Sequence, residues 1–198
     1  MVNFFPSIYD LAMQPLEKSK FQKIRKGILS KATGRVLEIG AGTGVNFPLY
    51  KHAEHVDAIE PNEGMIEQSQ PRKAAAAVPI QIHRQSAENL DFPDNTFDTV
   101  VATLVFCTIP NPEKALREIL RVSKPNAKIL FFEHVKIDQP ALAFAQEILN
   151  PVWKRVCDGC HLNRDTLKTI HDCGLQVIKV TSHYKGLFLE IESENKIN

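Results

Sequence analysis

The sequence predicts an α/β fold: a doubly wound, mostly parallel sheet ending in an antiparallel hairpin, with N-terminal helices as a lid. Three observations carry this. Short Val/Ile/Leu-rich runs recur between helical stretches from residue 35 onward, the pattern of strands covered on both faces by crossover helices. The first run, "RVLEIG", empties into a glycine-rich loop, as a strand of an open parallel sheet does at its ligand-binding end. The final stretch, "LQVIKVTSHYKGLFLEIES", alternates apolar and polar residues around a turn near Tyr184–Gly186, which reads as a hairpin.

Taken in order, the N-terminal stretch (1–30) reads as two helices, with Ile8, Leu11 and Ala12 sharing a face of one and Phe21, Ile24 and Ile28 a face of the next. Strands follow at "RVLEIG" (35–40), "HVDAIE" (55–60), "IQIHR" (80–84), "FDTVVATLVF" (97–106) and "KILFFEHV" (128–135). The "AAAA" tract (74–77) belongs to a short surface helix. Between the fourth and fifth strands, Asn111 caps a helix, Pro112 suits its first turn and Glu113 faces the positive end of its dipole. Ala115, Leu116, Ile119, Leu120 and Ser123 form its inward stripe, and "KPNA" stops it. Right-handed crossovers then wind the sheet. Further on, "PALAFAQEILNPVWKRV" reads as a helix broken before Pro151, and "RDTLKTIHDCG" as one capped by Asn163 and ended by Gly174.

Composition excludes several classes. The chain of 198 residues is one domain in length, and its net charge of +1 offers no basic field for nucleic acid. No run of about 18 apolar residues predicts a transmembrane span. The N-terminus lacks the basic and apolar regions of an export signal, so the expected location is cytoplasmic. The four cysteines, Cys107, Cys157, Cys160 and Cys173, do not make a disulfide framework in such a compartment. Cys157, Cys160 and His161 spell the C-x-x-C-H of covalent haem attachment, a reaction that follows export. A structural zinc needs four ligands, usually two pairs, against one pair here. The expectation is therefore no metal and no haem, with Cys107 a small buried filler at a strand end.

The loop after the first strand holds Gly40, Gly42 and Gly44, spaced G-x-G-x-G. A dinucleotide fingerprint would put its third small residue at position 45, which is Val45. Glu38 precedes the glycines; it would repel a pyrophosphate and suits a cationic ligand. Glu60 ends the second strand, about 20 residues beyond Gly40, where such folds place an acid against ribose hydroxyls. Ala87 and Glu88 follow the third strand, where they would border an adenine ring. These features describe a pocket for an adenosine nucleoside bearing an amino-acid tail and a positive sulfur.

The motifs "VLEIGAGTG", "AIEPN", "SAENLDFPDNTFDTVVATLVF" and "LREILRVSKPNAKILFFEHV" resemble those of the class I S-adenosylmethionine-dependent methyltransferases, over residues 35–135 of this Rossmann-like fold. The resemblance implies S-adenosyl-L-methionine as cofactor, with Glu38, Gly40, Gly42 and Gly44 around its methionine moiety. Glu60 would bind ribose, Pro61, Asn62 and Met65 line the adenine, and Ala87 and Glu88 contact its edge. Tyr9 would cover the sulfonium, as N-terminal "YD" segments do in related methyltransferases. On this view residues 1–198 are a single methyltransferase domain: a helical lid (1–30), a cofactor-binding core (31–135), and substrate-side helices with an edge hairpin (136–198).

"TLVFCTI", "FFEHV" and "EILNPVWKRVCDGCHLNRDTLKTI" resemble one branch more closely, the methyltransferase-like seven family of alkyl-thiol methyltransferases. Its pattern requires neither a cysteine at position 157 nor a histidine at 161. Branch members acting at membranes carry an N-terminal hydrophobic anchor, which this sequence lacks, although Lys18, Lys20, Lys23, Arg25 and Lys26 would allow peripheral contact with an anionic bilayer. The implied function is methyl transfer to a small, rather apolar acceptor, thiols included. Alternatives are a phospholipid or quinone-like methyltransferase, or a non-catalytic adenosylmethionine-binding module. His134 and Asp158 are the candidates for assisting an acceptor thiol, while Phe144 and Trp153 read as packed core or as the lining of an apolar acceptor cavity.

Overall fold

Buried strands alternating with helices give, in chain order, α1 (Gln22–Leu29), β1 (Gly34–Ile39), β2 (Ala53–Ile59), α2 (Glu63–Ala74), β3 (Ile80–His83), β4 (Phe97–Thr103), α3 (Pro112–Val122), β5 (Ser123–His134), α4 (Pro140–Val156), α5 (Thr166–Asp172), β6 (Gln176–His183) and β7 (Phe188–Glu194). This computed structural model describes residues 21–157 and 159–196. The seven strands form one sheet ordered β3-β2-β1-β4-β5-β7-β6. β1 to β5 pair in parallel, and β7 joins β5 and β6 antiparallel. The doubly wound sheet and its terminal hairpin are as expected.

The period of two along each strand fills both faces with apolar side chains. Leu37, Ile39, Val100, Ala102, Ile129 and Phe131 face one way, against Ala115, Leu116 and Ile119 of α3 and Ile170 of α5. Val36, Val101, Leu130 and Phe132 face the other, against Ile28 and Leu29 of α1 and against Phe47 and Tyr50. Phe21 packs edge-on to Phe132 at 5.2 Å and to Phe188 at 4.9 Å. Full burial of a side chain such as Ile28 or Leu29 contributes about 1.5–3 kcal/mol, so α1 is fastened to the sheet. The remainder of the expected lid, with Ile8, Tyr9, Leu11 and Ala12, lies outside the described residues.

Four local expectations are corrected. β4 ends at Thr103 because Leu104 turns the chain with φ +56°. α4 runs unbroken through Pro151; the proline removes a single backbone bond near the helix end, its ring is exposed, and the last turn closes with Cys157 N–H donating to the Trp153 carbonyl at 2.8 Å. α5 is capped by Asp165, which accepts from Lys168 N–H at 2.9 Å, whereas Asn163 donates to Glu147. Of the "AAAA" tract only Ala74 is helical. Asn111 caps α3 as expected, accepting from Lys114 N–H.

Candidate active site

In the sheet order, β1 leads to β2 and β3 on one side while β4 and β5 lie on the other. The carboxyl ends of β1 and β4 therefore flank the switch point at which open parallel sheets bind ligands. Gly40 at φ +64° starts the loop after β1, and a Cβ there would overlap the Val105 side chain. The two rim loops touch, and only glycine permits it. Gly44 is closed in likewise, since its Cβ would stand 2.6 Å from the Phe47 ring. Gly42 differs: at φ +54°, a Cβ would meet nothing within 4 Å among the described residues, so none of them covers the loop backbone there.

Glu60, buried at the end of β2, holds that backbone. One oxygen accepts from Gly42 N–H and the other from Asn62 N–H, both at 2.9 Å. Beneath the loop, Glu38 accepts from the Asn46 amide at 2.8 Å through Oε1. Among the described residues its Oε2 is buried without a hydrogen-bond partner. Burial pushes the Glu38 carboxyl up to about 7, against the pull of Asn46, the neighbouring Tyr50 hydroxyl and the positive charge of Arg25. Arg25 of α1 reaches inward to Asn46 Oδ1 at 3.0 Å and Thr103 Oγ1 at 2.6 Å, tying the helix to the loop after β1 and to the end of β4.

At the carboxyl ends of β4 and β5, three further side chains meet. His134 Nε2 lies 3.0 Å from Cys160 Sγ, and Cys107 Sγ joins them so that all three atoms fall within 4.8 Å of one another. The neighbouring Cys107 thiol, helped by His134 and Trp153, draws the Cys160 thiol well below its ordinary value against the opposing effect of burial; Cys107, whose Sγ donates to the Leu104 carbonyl at 3.8 Å, is pushed up by Cys160 and by burial. The loop carrying Cys107 is held on several sides. Glu133 accepts from Val105 N–H at 3.0 Å and Phe106 N–H at 3.2 Å. Arg164 donates to the Phe106 and Ile109 carbonyls, and His161 N–H donates to the Cys107 carbonyl at 2.9 Å.

Residues 37–131 match the methyltransferase domain family. Over 165 residues the chain is 36% identical to thiol S-methyltransferase TMT1B of Rattus norvegicus, covering 80% of this chain and 66% of that protein. It is 31% identical over 181 residues to thiol S-methyltransferase TMT1A of Homo sapiens, covering 89% and 74%. The chain belongs to the S-adenosylmethionine-dependent methyltransferases. A phosphatidylethanolamine N-methyltransferase of Cereibacter sphaeroides is 32% identical over 145 residues, covering 72% of this chain and 71% of that protein. The fold is shared with a SAM-dependent methyltransferase from Aquifex aeolicus, at TM-score 0.67 and 19% identity over 96% of this chain and 97% of that one. The chain thus spans about two thirds of the TMT1B relative and somewhat more of the others.

The methyltransferase family implies S-adenosylmethionine as cofactor, and the crevice suits it in two ways. The open side of Gly42 is a cradle that any side chain would fill, and the orphaned Glu38 oxygen offers an acceptor to a cationic amino-acid end. Of the expected residues, Glu38, Gly40, Gly42, Gly44 and Glu60 converge at the rim. Asn62 Oδ1 caps α2 through Gly64 and Met65 N–H, Met65 and Ala87 are buried, and Pro61 is exposed. Glu88 accepts from Asn111 N–H at 2.6 Å, which ties it to the start of α3. Tyr9 and Asp158 lie outside the described residues. Phe144 is 67% exposed and Trp153 43%, so neither is packed core. The grouping of Cys107 and Cys160 with His134 was not anticipated, and Cys157 and His161 stand outside that group.

Proposed function

We propose that this methyltransferase methylates a small, rather apolar thiol. The observation that carries the reading is the soft, sulfur-rich group of Cys107, His134 and Cys160 on the rim shared with the glycine loop, supported by the names of the TMT1 relatives. When bound, S-adenosylmethionine supplies an electrophilic methyl group, which an acceptor thiolate takes to give a thioether, S-adenosylhomocysteine and one released proton. The protein's part is alignment and exclusion of water. Glu60 would hold ribose hydroxyls, the Gly42 backbone would lie against the amino-acid portion, and Glu38 would face its positive charge. An acceptor thiol with an ordinary pKa of about 8.5 needs only modest help to ionise. His134 is the described residue that serves this end.

A second reading, methylation of a phospholipid amine, has one observation in its favour. Phe144, Ile148, Leu149 and Val152 leave an exposed apolar face on α4, a surface compatible with a lipid-borne acceptor. Among the described residues no helix is long and apolar enough to cross a membrane.

The test supplies methyl-labelled S-adenosylmethionine with a panel of alkyl thiols, amines, phenols and phosphatidylethanolamine vesicles. Label appearing in a thioether supports the thiol. Label confined to another acceptor replaces it, and cofactor binding with no turnover on any acceptor indicates a binding module.

A further inference from the structure

We propose that Cys107, His134 and Cys160 form a binding site for a soft divalent metal of the zinc class, with its fourth position open to the acceptor thiol. The second half of this proposal rests on the thiol reading above. Two sulfurs and an imidazole nitrogen are the donor set that favours zinc over hard cations. Around a tetrahedral zinc, sulfurs at about 2.3 Å and a nitrogen at about 2.0–2.1 Å stand roughly 3.5–3.8 Å apart. The three atoms here lie within 4.8 Å of one another. The His134–Cys160 separation of 3.0 Å needs to open by only about half an ångström.

The set is also pre-organised, which a chance meeting of side chains would not require. His134 ends β5 in register with Phe188 of β7, and its ring packs edge-on against Phe188 at 6.4 Å. Cys107 rides on a loop fixed by both oxygens of Glu133, by Arg164 and by His161 N–H. Cys160 is set by its N–H bond to the Cys157 carbonyl at 2.9 Å. On its C-terminal side, Leu162 N–H donates to Asn150 Oδ1, and Gln146 donates to the Leu162 and Val135 carbonyls. These bonds fix the backbone that carries the ligands; His134 Nδ1 is buried without a hydrogen-bond partner among the described residues, so the ring is placed by Phe188 packing and not by an outer-shell bond.

The geometry also limits the ligand count. No fourth His, Cys, Asp or Glu joins the group among the described residues. Glu133 has both oxygens engaged by backbone N–H groups, and Cys157 stands outside. Three protein ligands with an open fourth position are the arrangement of catalytic rather than structural zinc. A thiol entering that position would bind as the thiolate, its proton passing to solvent; the metal would then do the ionising that falls to His134 in the metal-free site, and the sulfur would be held at the rim where the methyl group is delivered.

The experiment measures metal in wild-type protein purified under reducing conditions, then reloads it with cobalt(II) after chelation. Expected are about one soft divalent ion per chain and a thiolate-to-cobalt charge-transfer band that shifts when an alkyl thiol is added. Cys107→Ser and Cys160→Ser should each weaken cobalt binding by on the order of a hundredfold or more, since outer-shell changes alone cost 10–100-fold. Cys157→Ser should retain it. Circular dichroism and S-adenosylmethionine affinity verify that the variants fold, and the wild-type cobalt spectrum is decisive without them. Absence of the band in wild type overturns the site, as does equal loss in Cys157→Ser. A band indifferent to thiols, in a protein that does methylate them, overturns the acceptor's place on the metal. A band in a protein that methylates no thiol in the labelled panel leaves the metal site standing and sinks the thiol reading instead.

Discussion

Gly40 and Gly42 are near neighbours in one loop, yet the structure assigns them different duties that a matched pair of substitutions separates. Gly40→Ala meets two penalties. The left-handed φ of +64° costs a residue with a Cβ about 1–2 kcal/mol. The new methyl also overlaps Val105 and lies 2.9 Å from its Cβ, and overpacking of this kind costs typically about 1–3 kcal/mol. Gly40→Ala should therefore lose about 2–5 kcal/mol of stability. Gly42→Ala meets the conformational penalty alone, about 1–2 kcal/mol, because its Cβ enters open space among the described residues. On the proposed placement of the cofactor that space is taken by adenosylmethionine, so its affinity should fall at least about tenfold, or about 1.4 kcal/mol. Urea unfolding reads the first quantity and calorimetric titration the second. Adding Val105→Ala to Gly40→Ala should recover the part of the overlap that comes from the Val105 Cγ2, leaving the 2.9 Å approach to its Cβ. A Gly40→Ala protein as stable as wild type would refute the close approach of the two loops, and unchanged affinity in Gly42→Ala would refute the cradle.

Glu60→Ala removes the proposed acceptor for ribose hydroxyls, at about 1.5–3 kcal/mol per charge-assisted bond, and frees the Gly42 and Asn62 N–H groups; calorimetry giving wild-type affinity in a folded variant would remove it from the site. Arg25→Met breaks the bonds to Asn46 and Thr103 and should lower stability by roughly 3 kcal/mol or more, at about 1.5–3 each, as read from denaturant midpoints. Glu133 is a buried carboxyl pushed by desolvation to about 7 from a reference of 4.5. The native state therefore binds more protons between those values, and the group's stabilising contribution, full below 4.5, is lost as pH rises through about 7. In metal-free protein the stability difference between Glu133→Gln and wild type should move in the variant's favour by up to roughly 3 kcal/mol from pH 5 to pH 8, on top of a pH-independent loss of one backbone N–H acceptor; parallel stability curves would disprove the shift.

The strands were legible because a sheet covered on both faces writes itself as unbroken apolar runs, and "FDTVV" or "KILFF" admits few other uses. The convergence of the glycine loop and Glu60 was legible for a related reason: glycines at forced left-handed φ and an acid following the next strand are local marks in the chain. What escaped was set by distant contacts. Nothing near Leu104 announces its positive φ, and Pro151 signals a break that an exposed final turn absorbs. The cysteine group escaped because the local C-x-x-C-H dominates the pattern, whereas the partners of Cys160, namely Cys107 and His134, come from much earlier in the chain. The usable signal was that Cys107 follows β4 and His134 closes the adjacent parallel strand β5, which places them on one rim.

The central claim is tested most directly by methyl transfer itself, measured on one protein preparation with labelled S-adenosylmethionine and matched acceptors: an alkyl thiol, the amine and alcohol of the same carbon skeleton, and phosphatidylethanolamine vesicles. The account predicts that kcat/KM for the thiol exceeds that for its amine and alcohol counterparts by at least tenfold, and that the thiol rate falls in Cys160→Ser while cofactor affinity persists. A preference for the amine or the lipid, with the thiol rate indifferent to Cys160, would contradict it.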